Sequence, residues 1–331
     1  MKILVTGAAG FIGRALCRHL FELNHVVVPI VRSTSGVKAE IVVGNMGAST
    51  NWSNAIARCD AVVHLAARVH VMYDGVQDPL AIYRTMNTLT TLNLARQAAQ
   101  AGVKRFVFVS TIKVNGEGFP HPRPLSRGER GAYVETDAPA PEGPYAISKW
   151  EAEQGLWRIA EETGLEVVVL RPPLVYGPGV KANFLRLMQL VQKGWPLPLG
   201  AIKNRRSLLY LGNFVDAIRL CVEHPAAAGQ TFLLDDGQTV STPDLIREIA
   251  NAMHHPARLV PVPLSLLQLA GWMMGRSTAV SRLTGSLYVD SQAIRSQLDW
   301  TPPYSMQAGL AQTVAAFVQD RASAGTTVES G

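Results

Sequence analysis

Through the first half of the chain, short apolar runs of strand length alternate with longer stretches in which apolar residues recur at helical spacing. Lys2–Thr6, about His25–Val31, Glu40–Val43, Asp60–Ala67, Arg105–Ser110 and Leu165–Leu170 read as six strands. The segments between them predict helices from about Phe11 to Leu23, Pro79 to Ala101 and Tyr145 to Thr163. Apolar runs joined through helices are the pattern of a parallel sheet covered on both faces. An α/β fold with a doubly wound parallel sheet is therefore expected over residues 1–170. Beyond Arg171 the alternation loosens and proline-rich joints appear, which predicts a smaller C-terminal substrate-binding lobe over 171–320. A strand near 230–234 is expected to return to the main sheet, and Ser241-Thr-Pro-Asp reads as a capped helix start. Residues 115–144, rich in proline and glycine, predict a loop at the mouth of the site. The small, polar residues 322–331 predict a disordered tail.

The first strand stops at Gly7-Ala-Ala-Gly10-Phe11-Ile12-Gly13, a G-x-x-G-x-x-G turn opening onto a helix. Glycines there allow a tight turn and close approach of the backbone to a pyrophosphate, which the helix N-terminus favours. This makes the turn a candidate dinucleotide site of Rossmann type. The second strand ends Arg32-Ser33-Thr34 with no acid beside it. A ribose 2′-hydroxyl prefers a carboxylate at this point and a 2′-phosphate an arginine, so NADP(H) is favoured and NAD(H) stays possible. The bland alternative for Arg32 is a solvated strand end.

Tyr145-Ala-Ile-Ser-Lys149 places a phenol and an amine one helical turn apart on one face. A neighbouring ammonium would lower the phenol from its ordinary pKa of about 10, making Tyr145 an acid/base for a hydroxyl-to-ketone interconversion. Ser110 and Thr111 end a central strand, where doubly wound sheets bind ligands. His64 reads as a packing histidine in preference to a proton carrier.

Composition narrows the class. With 47% hydrophobic and 17% charged residues the chain is a globular protein, and its formal charge of +6 suits an anionic small ligand. No dense Lys/Arg run suggests nucleic acid. Cys17, Cys59 and Cys221 lack metal-like spacing and read as reduced core residues of a cytoplasmic protein, with no metal expected. The chain begins directly in a strand and no apolar run reaches transmembrane length, so neither a signal peptide nor a membrane span is expected. Leu264–Met274, the most apolar segment, reads as a buried or amphipathic helix, with a membrane-surface contact as the alternative.

Taken in order, Thr6-Gly7-x-x-Gly10-x-x-Gly13, Asp60…His64-Leu65-Ala66-Ala67, Ser110-Thr111, Tyr145-x-x-x-Lys149 and Arg171-Pro172-x-x-Val175-Tyr176-Gly177-Pro178 resemble the extended short-chain dehydrogenase/reductases. Within them the chain resembles the NAD(P)-dependent nucleotide-sugar epimerase/dehydratase family, from Met1 to about Leu310. The resemblance implies a catalytic set of Thr111, Tyr145 and Lys149, with Lys149 also on the nicotinamide ribose and Ser110 near the nicotinamide. It implies cofactor contacts at Gly7, Gly10, Phe11, Ile12, Gly13, Arg32, Asn45, Met46, Leu65, Ala66, Ala67, Asn87 and Pro172. Substrate contacts are implied at Thr111, Lys113, Asn183, Arg206 and Arg282. Gly44-Asn45-Met46 stands where many members carry Gly-Asp-Leu, and Thr111-Ile112-Lys113 lacks the acidic pair of the 4,6-dehydratases.

The expected partner is a UDP-sugar, and the expected assembly a homodimer through helices 79–101 and 145–163. The activity implied first is reduction of the C4 ketone of a UDP-2-acetamido-2,6-dideoxy-4-hexulose to UDP-N-acetylquinovosamine or its C4 epimer, for surface polysaccharide. A UDP-sugar 4-epimerase is the alternative, and a non-catalytic dinucleotide-binding regulator a remote one.

Overall fold

The computed structural model describes residues 1–69, 78–116 and 131–326. Seven strands form one sheet: β1 (Lys2–Thr6), β2 (Val26–Val31), β3 (Ile41–Val42), β4 (Ala61–His64), β5 (Arg105–Val109), β6 (Glu166–Arg171) and β9 (Thr231–Leu233). Their order is β3-β2-β1-β4-β5-β6-β9 and every pairing is parallel. The strand order reverses at β1, so the crevice for a ligand opens beyond the carboxyl ends of β1 and β4. The predicted Rossmann-type sheet is present, and β9 is the strand expected near 230–234.

The central strands are Val/Ile-rich because both sheet faces are covered. On one face lie α1 (Phe11–Glu22), α7 (Leu211–Glu223) and α11 (Gln292–Leu298), around Leu16, Leu20, Phe214, Ile218 and Leu298. The short α2 (Ser53–Ile56) covers the other face together with α4 (Thr90–Gln100) and α5 (Gly143–Thr163), around Trp52, Leu94, Phe106 and Leu156. Upstream of α4 the chain runs through α3 (Pro79–Tyr83) and a π-helical turn over Arg84–Leu89, so the predicted helix of 79–101 is continuous but widened at its centre. Cys17, Cys59 and Cys221 are buried, and burial pushes the thiols of Cys17 and Cys221 up to about 12, which keeps them unreactive.

The second lobe contains α6 (Ala182–Gln192), α8 (Thr242–Ala252), α9 (Leu264–Met273), α10 (Ser277–Thr284) and α12 (Met306–Thr326). Its small sheet has the order β10-β8-β7, with β7 at Leu174–Tyr176, β8 at Arg206–Tyr210 and β10 at Thr239–Val240. Buried Asp236 ties the lobe together, accepting from the Tyr176 hydroxyl (2.9 Å), Tyr210 N (2.8 Å) and Asn213 Nδ2 (2.7 Å).

Helices α7 and α11, from the stretch read as substrate lobe, return with β9 to the main sheet. The final helix continues to Thr326, past the expected start of a disordered tail at 322, while 327–331 lie outside the described residues. Of the predicted loop 115–144, residues 117–130 also lie outside them.

Candidate active site

The glycine turn after β1 is shaped by backbone crowding. Gly7 has φ +68°, and a Cβ there would sit 2.9 Å from Ala66 N, so β1 and the segment after β4 touch at this point. A Cβ on Gly13 would lie 2.1 Å from the Gly7 carbonyl oxygen, which is why α1 can begin so close to the turn. Gly10 caps α1, and Phe11 and Ile12 form its half-buried first turn. Leu65, Ala66 and Ala67 line the opposite wall, half-buried. A turn with no room for a side chain at Gly7 or Gly13, beside a helix N-terminus, fits a dinucleotide pyrophosphate.

A directed hydrogen-bond chain holds that wall. Thr91 Oγ1 donates to the Asn87 carbonyl (2.5 Å), so it can only accept from His64 Nε2 (3.0 Å). His64 Nδ1 then accepts from Thr6 Oγ1 (2.7 Å), which accepts from Ala66 N (3.2 Å). His64 is fully buried, and burial, then the charge of Lys149, pushes its pKa down to about 3. It is a neutral packing histidine, as its sequence context predicts. The Asn87 side chain accepts from Arg68 N (2.8 Å) and donates to Ser148 Oγ (3.1 Å), whose own hydroxyl donates to Tyr145 O (2.8 Å). The π turn of 84–89 thus ties the cofactor wall to the helix carrying Tyr145, a placement such turns often have.

Tyr145 and Lys149 occupy the first turns of α5, beside the end of β5. Lys149 is 1% exposed; its Nζ donates to the Val109 carbonyl (2.8 Å) and lies 4.4 Å from the Phe108 ring centroid. Burial lowers its pKa to about 7, while Glu153, one turn on, holds it up. The expectation that Lys149 depresses the Tyr145 phenol is not met in this arrangement. Burial, then Tyr83, raises Tyr145 to about 12, and the Tyr83 ring meets it edge-on at 6.1 Å. The physical reason is that an amine this deeply buried is charged only part of the time at neutral pH and spends its bonding on Val109.

Thr111 caps the short 3₁₀ turn after β5, its hydroxyl accepting from Lys113 N at 3.3 Å. Ser110, at the end of β5, is buried, and its hydroxyl donates to the Glu153 carboxylate. Glu153 is fully buried and pairs with Arg171 through contacts of 2.5, 3.1 and 3.2 Å; Arg171 Nη1 also donates to Asn115 Oδ1 (3.0 Å). Pro172 is buried, and its carbonyl accepts from Ile112 N (3.1 Å).

At the adenosine end Arg32 is exposed with Ser33 and Thr34. A carboxylate does exist nearby in sequence, but Glu40 is turned onto Ser35 N (2.8 Å), Ser35 Oγ (2.5 Å), Gly36 N (3.3 Å) and Val37 N (3.1 Å). Those bonds, the Ser35 hydroxyl first, hold Glu40 below the usual carboxylate range. Asn45 is exposed and Met46 packs half-buried against the sheet. Of the substrate candidates, Lys113 is half-buried directly after the Thr111 strand end, and Asn183 is exposed in the first turn of α6. Arg206 starts β8 and donates to the Arg282 carbonyl, so these two meet through main chain while the Arg282 side chain is exposed. Sequence reasoning missed Thr6, Tyr83, Ser148 and Glu153 as site residues; the i+4 spacing of Glu153 from Lys149 was the one available signal.

Residues 3–234 match the family described as NAD dependent epimerase/dehydratase. The chain belongs to the NAD dependent epimerase/dehydratase family.

Its relatives in that family include a UDP-glucose 4-epimerase of Vibrio cholerae, 45% identical over 322 residues and 96% of both chains. An N-acetyl-alpha-D-glucosaminyl-diphospho-ditrans,octacis-undecaprenol 4-epimerase of Escherichia coli O157:H7 is 25% identical, covering 95% of this chain and 94% of that one. Among solved structures, MoeE5 in complex with UDP-glucose and NAD superposes with a TM-score of 0.75 at 25% identity, covering 97% of this chain and 100% of that one. Among the described residues no helix is long and apolar enough to cross a membrane, and no cluster of His, Cys, Asp and Glu could hold a metal ion.

Proposed function

We propose that this family member interconverts the C4 hydroxyl and C4 ketone of a UDP-linked hexose and inverts that carbon, as a 4-epimerase. The observation that carries the reading is the 45% identity, across 96% of both chains, to a relative named for that activity. The glycine turn, the Leu65–Ala67 wall and Lys149 would hold the dinucleotide, which when bound supplies hydride removal and return at the sugar carbon.

The protein's own part is proton transfer. Tyr145 takes the C4 hydroxyl proton as the ketone forms and gives it back to the same oxygen once the ketone has turned its other face for reduction. With its phenol held at about 12, Tyr145 keeps its proton until positive charge comes near. Lys149, poised at about 7, supplies that charge in its ammonium form. Thr111 bonds the same sugar oxygen, while Ser148, itself held by Asn87, fixes the Tyr145 main chain and Tyr83 packs edge-on against its ring.

Reduction of a UDP-2-acetamido-2,6-dideoxy-4-hexulose is the second reading. It is favoured by the exposed Arg32-Ser33-Thr34 end of β2, with Glu40 sequestered, which suits a 2′-phosphate and hence NADPH. One experiment separates them. Purified protein is given UDP-glucose without added cofactor, and separately the 4-keto UDP-sugar with NADPH or NADH. Epimerisation predicts the C4 epimer by NMR with no net change at the reduced-nicotinamide absorbance band, whereas reduction predicts stoichiometric NADPH loss. Tyr145→Phe should lower the rate by about 10²–10⁴-fold. An unchanged rate would remove the catalytic reading and revive a dinucleotide-binding regulator.

A further inference from the structure

The α9–α10 hairpin presents apolar surface that the chain itself does not cover. Leu266, Leu269, Trp272, Met273 and Met274 are between 50% and 70% exposed. A helix this apolar all round is ordinarily buried. Here Gly271 is the one buried residue of α9, crossing α10 so closely that a Cβ would lie 2.5 Å from Val280. Leu267, one position away from the exposed row, packs half-buried on the core of the second lobe. The hairpin is thus anchored by one stripe while its larger apolar face stands in solvent, a contiguous patch of the kind that marks an interaction surface.

Charge selects the partner. Between Glu248 and Asp290 the sequence has no acidic residue, yet it carries Arg258, Arg276 and Arg282. Arg276 follows Trp272, Met273 and Met274 after Gly275 and is exposed, as is Arg282 on α10. An apolar helix face edged by tryptophan and arginine, in a stretch of chain without a carboxylate from 249 to 289, matches the interface of an anionic bilayer. A second copy of this chain is a poorer match. A two-fold contact of hairpin on hairpin would bring the same arginines together with no acid in either hairpin to meet them.

We propose that α9 lies in the surface of an anionic phospholipid membrane, with Leu266, Leu269, Trp272 and Met273 entering the headgroup–acyl boundary and Arg276 and Arg282 meeting lipid phosphates. The hairpin touches the substrate lobe through the Arg206 contact to the Arg282 carbonyl, so docking would hold that lobe toward the membrane.

The test is flotation of the full chain with vesicles of phosphatidylcholine alone and of phosphatidylcholine mixed with phosphatidylglycerol. Association is expected with the mixed vesicles, weakened by salt, and not with the neutral ones. Trp272→Ser/Met273→Ser and, separately, Arg276→Glu should each reduce binding, by about tenfold or more for the apolar pair and roughly fivefold or more for the charge. Because these side chains are exposed, circular dichroism and the melting temperature should not move. Failure to float with anionic vesicles, or equal flotation of wild type and both variants, overturns the proposal. So does a concentration-dependent dimer that Trp272→Ser/Met273→Ser abolishes, which would assign the face to a second copy.

Discussion

Replacing Glu153 with glutamine tests the charge arrangement beneath the candidate site. Glu153 is fully buried and Arg171 is 4% exposed, so both charges of the pair lie out of water. Removing one partner of a buried pair costs about 3–5 kcal/mol, because the other charge is left uncompensated. Glutamine keeps one acceptor for Arg171, Asn115 Oδ1 stays at 3.0 Å, and Ser110 can turn to accept the new amide. These bonds put the expected loss at the low end, about 3 kcal/mol, or roughly a 5 °C fall in Tm for a chain of this size. Glu153 is also the group that holds Lys149 up against burial, so Glu153→Gln should take Lys149 further below about 7. The assay is urea unfolding followed by tryptophan fluorescence, together with the pH profile of turnover. The alkaline limb set by Lys149, whose ammonium form is the active one, should move to lower pH. A double variant, Glu153→Leu with Arg171→Leu, should recover much of the stability the single change loses. A single-variant loss under about 1 kcal/mol, with the alkaline limb unmoved, would refute the arrangement described.

Two further outcomes are expected. Gly13→Ala must displace the Gly7 carbonyl, 2.1 Å from the new methyl, so affinity for the dinucleotide measured by calorimetry should fall at least about tenfold. Gly10→Ala, where the nearest atom is at 3.0 Å, should be milder. Acidification should destabilise the protein through His64. Its pKa is about 3 when folded against about 6.5 when unfolded, so between these values the unfolded chain binds the extra proton and stability falls as pH drops. The urea midpoint should fall from pH 6.5 to pH 4, and His64→Gln should show a shallower slope over that window.

The sequence by itself determined what depends on neighbours along the chain. Strand, glycine turn and helix at Lys2–Glu22, the one-turn spacing of Tyr145 and Lys149, and the apolar strands of a doubly wound sheet are local patterns, each visible within a short window. The family could be read from them because the motifs occur in a fixed order. What only the tertiary structure decided depends on burial and on partners remote in sequence. Lys149 reads as a charge beside a phenol, but enclosure against Phe108 and Val109 brings it near neutrality and leaves Tyr145 raised. Ser110 reads as a hydroxyl facing the crevice, but Glu153, which arrives from α5, claims it. Glu40 folds back on Ser35–Val37, leaving Arg32 exposed at the end of β2, and α9 reads as a buried or amphipathic helix yet turns most of its apolar side chains to solvent. The physical reason is common to all four. An ionisable or apolar group acquires its energy from the dielectric and the contacts around it, and those exist only once distant elements have packed.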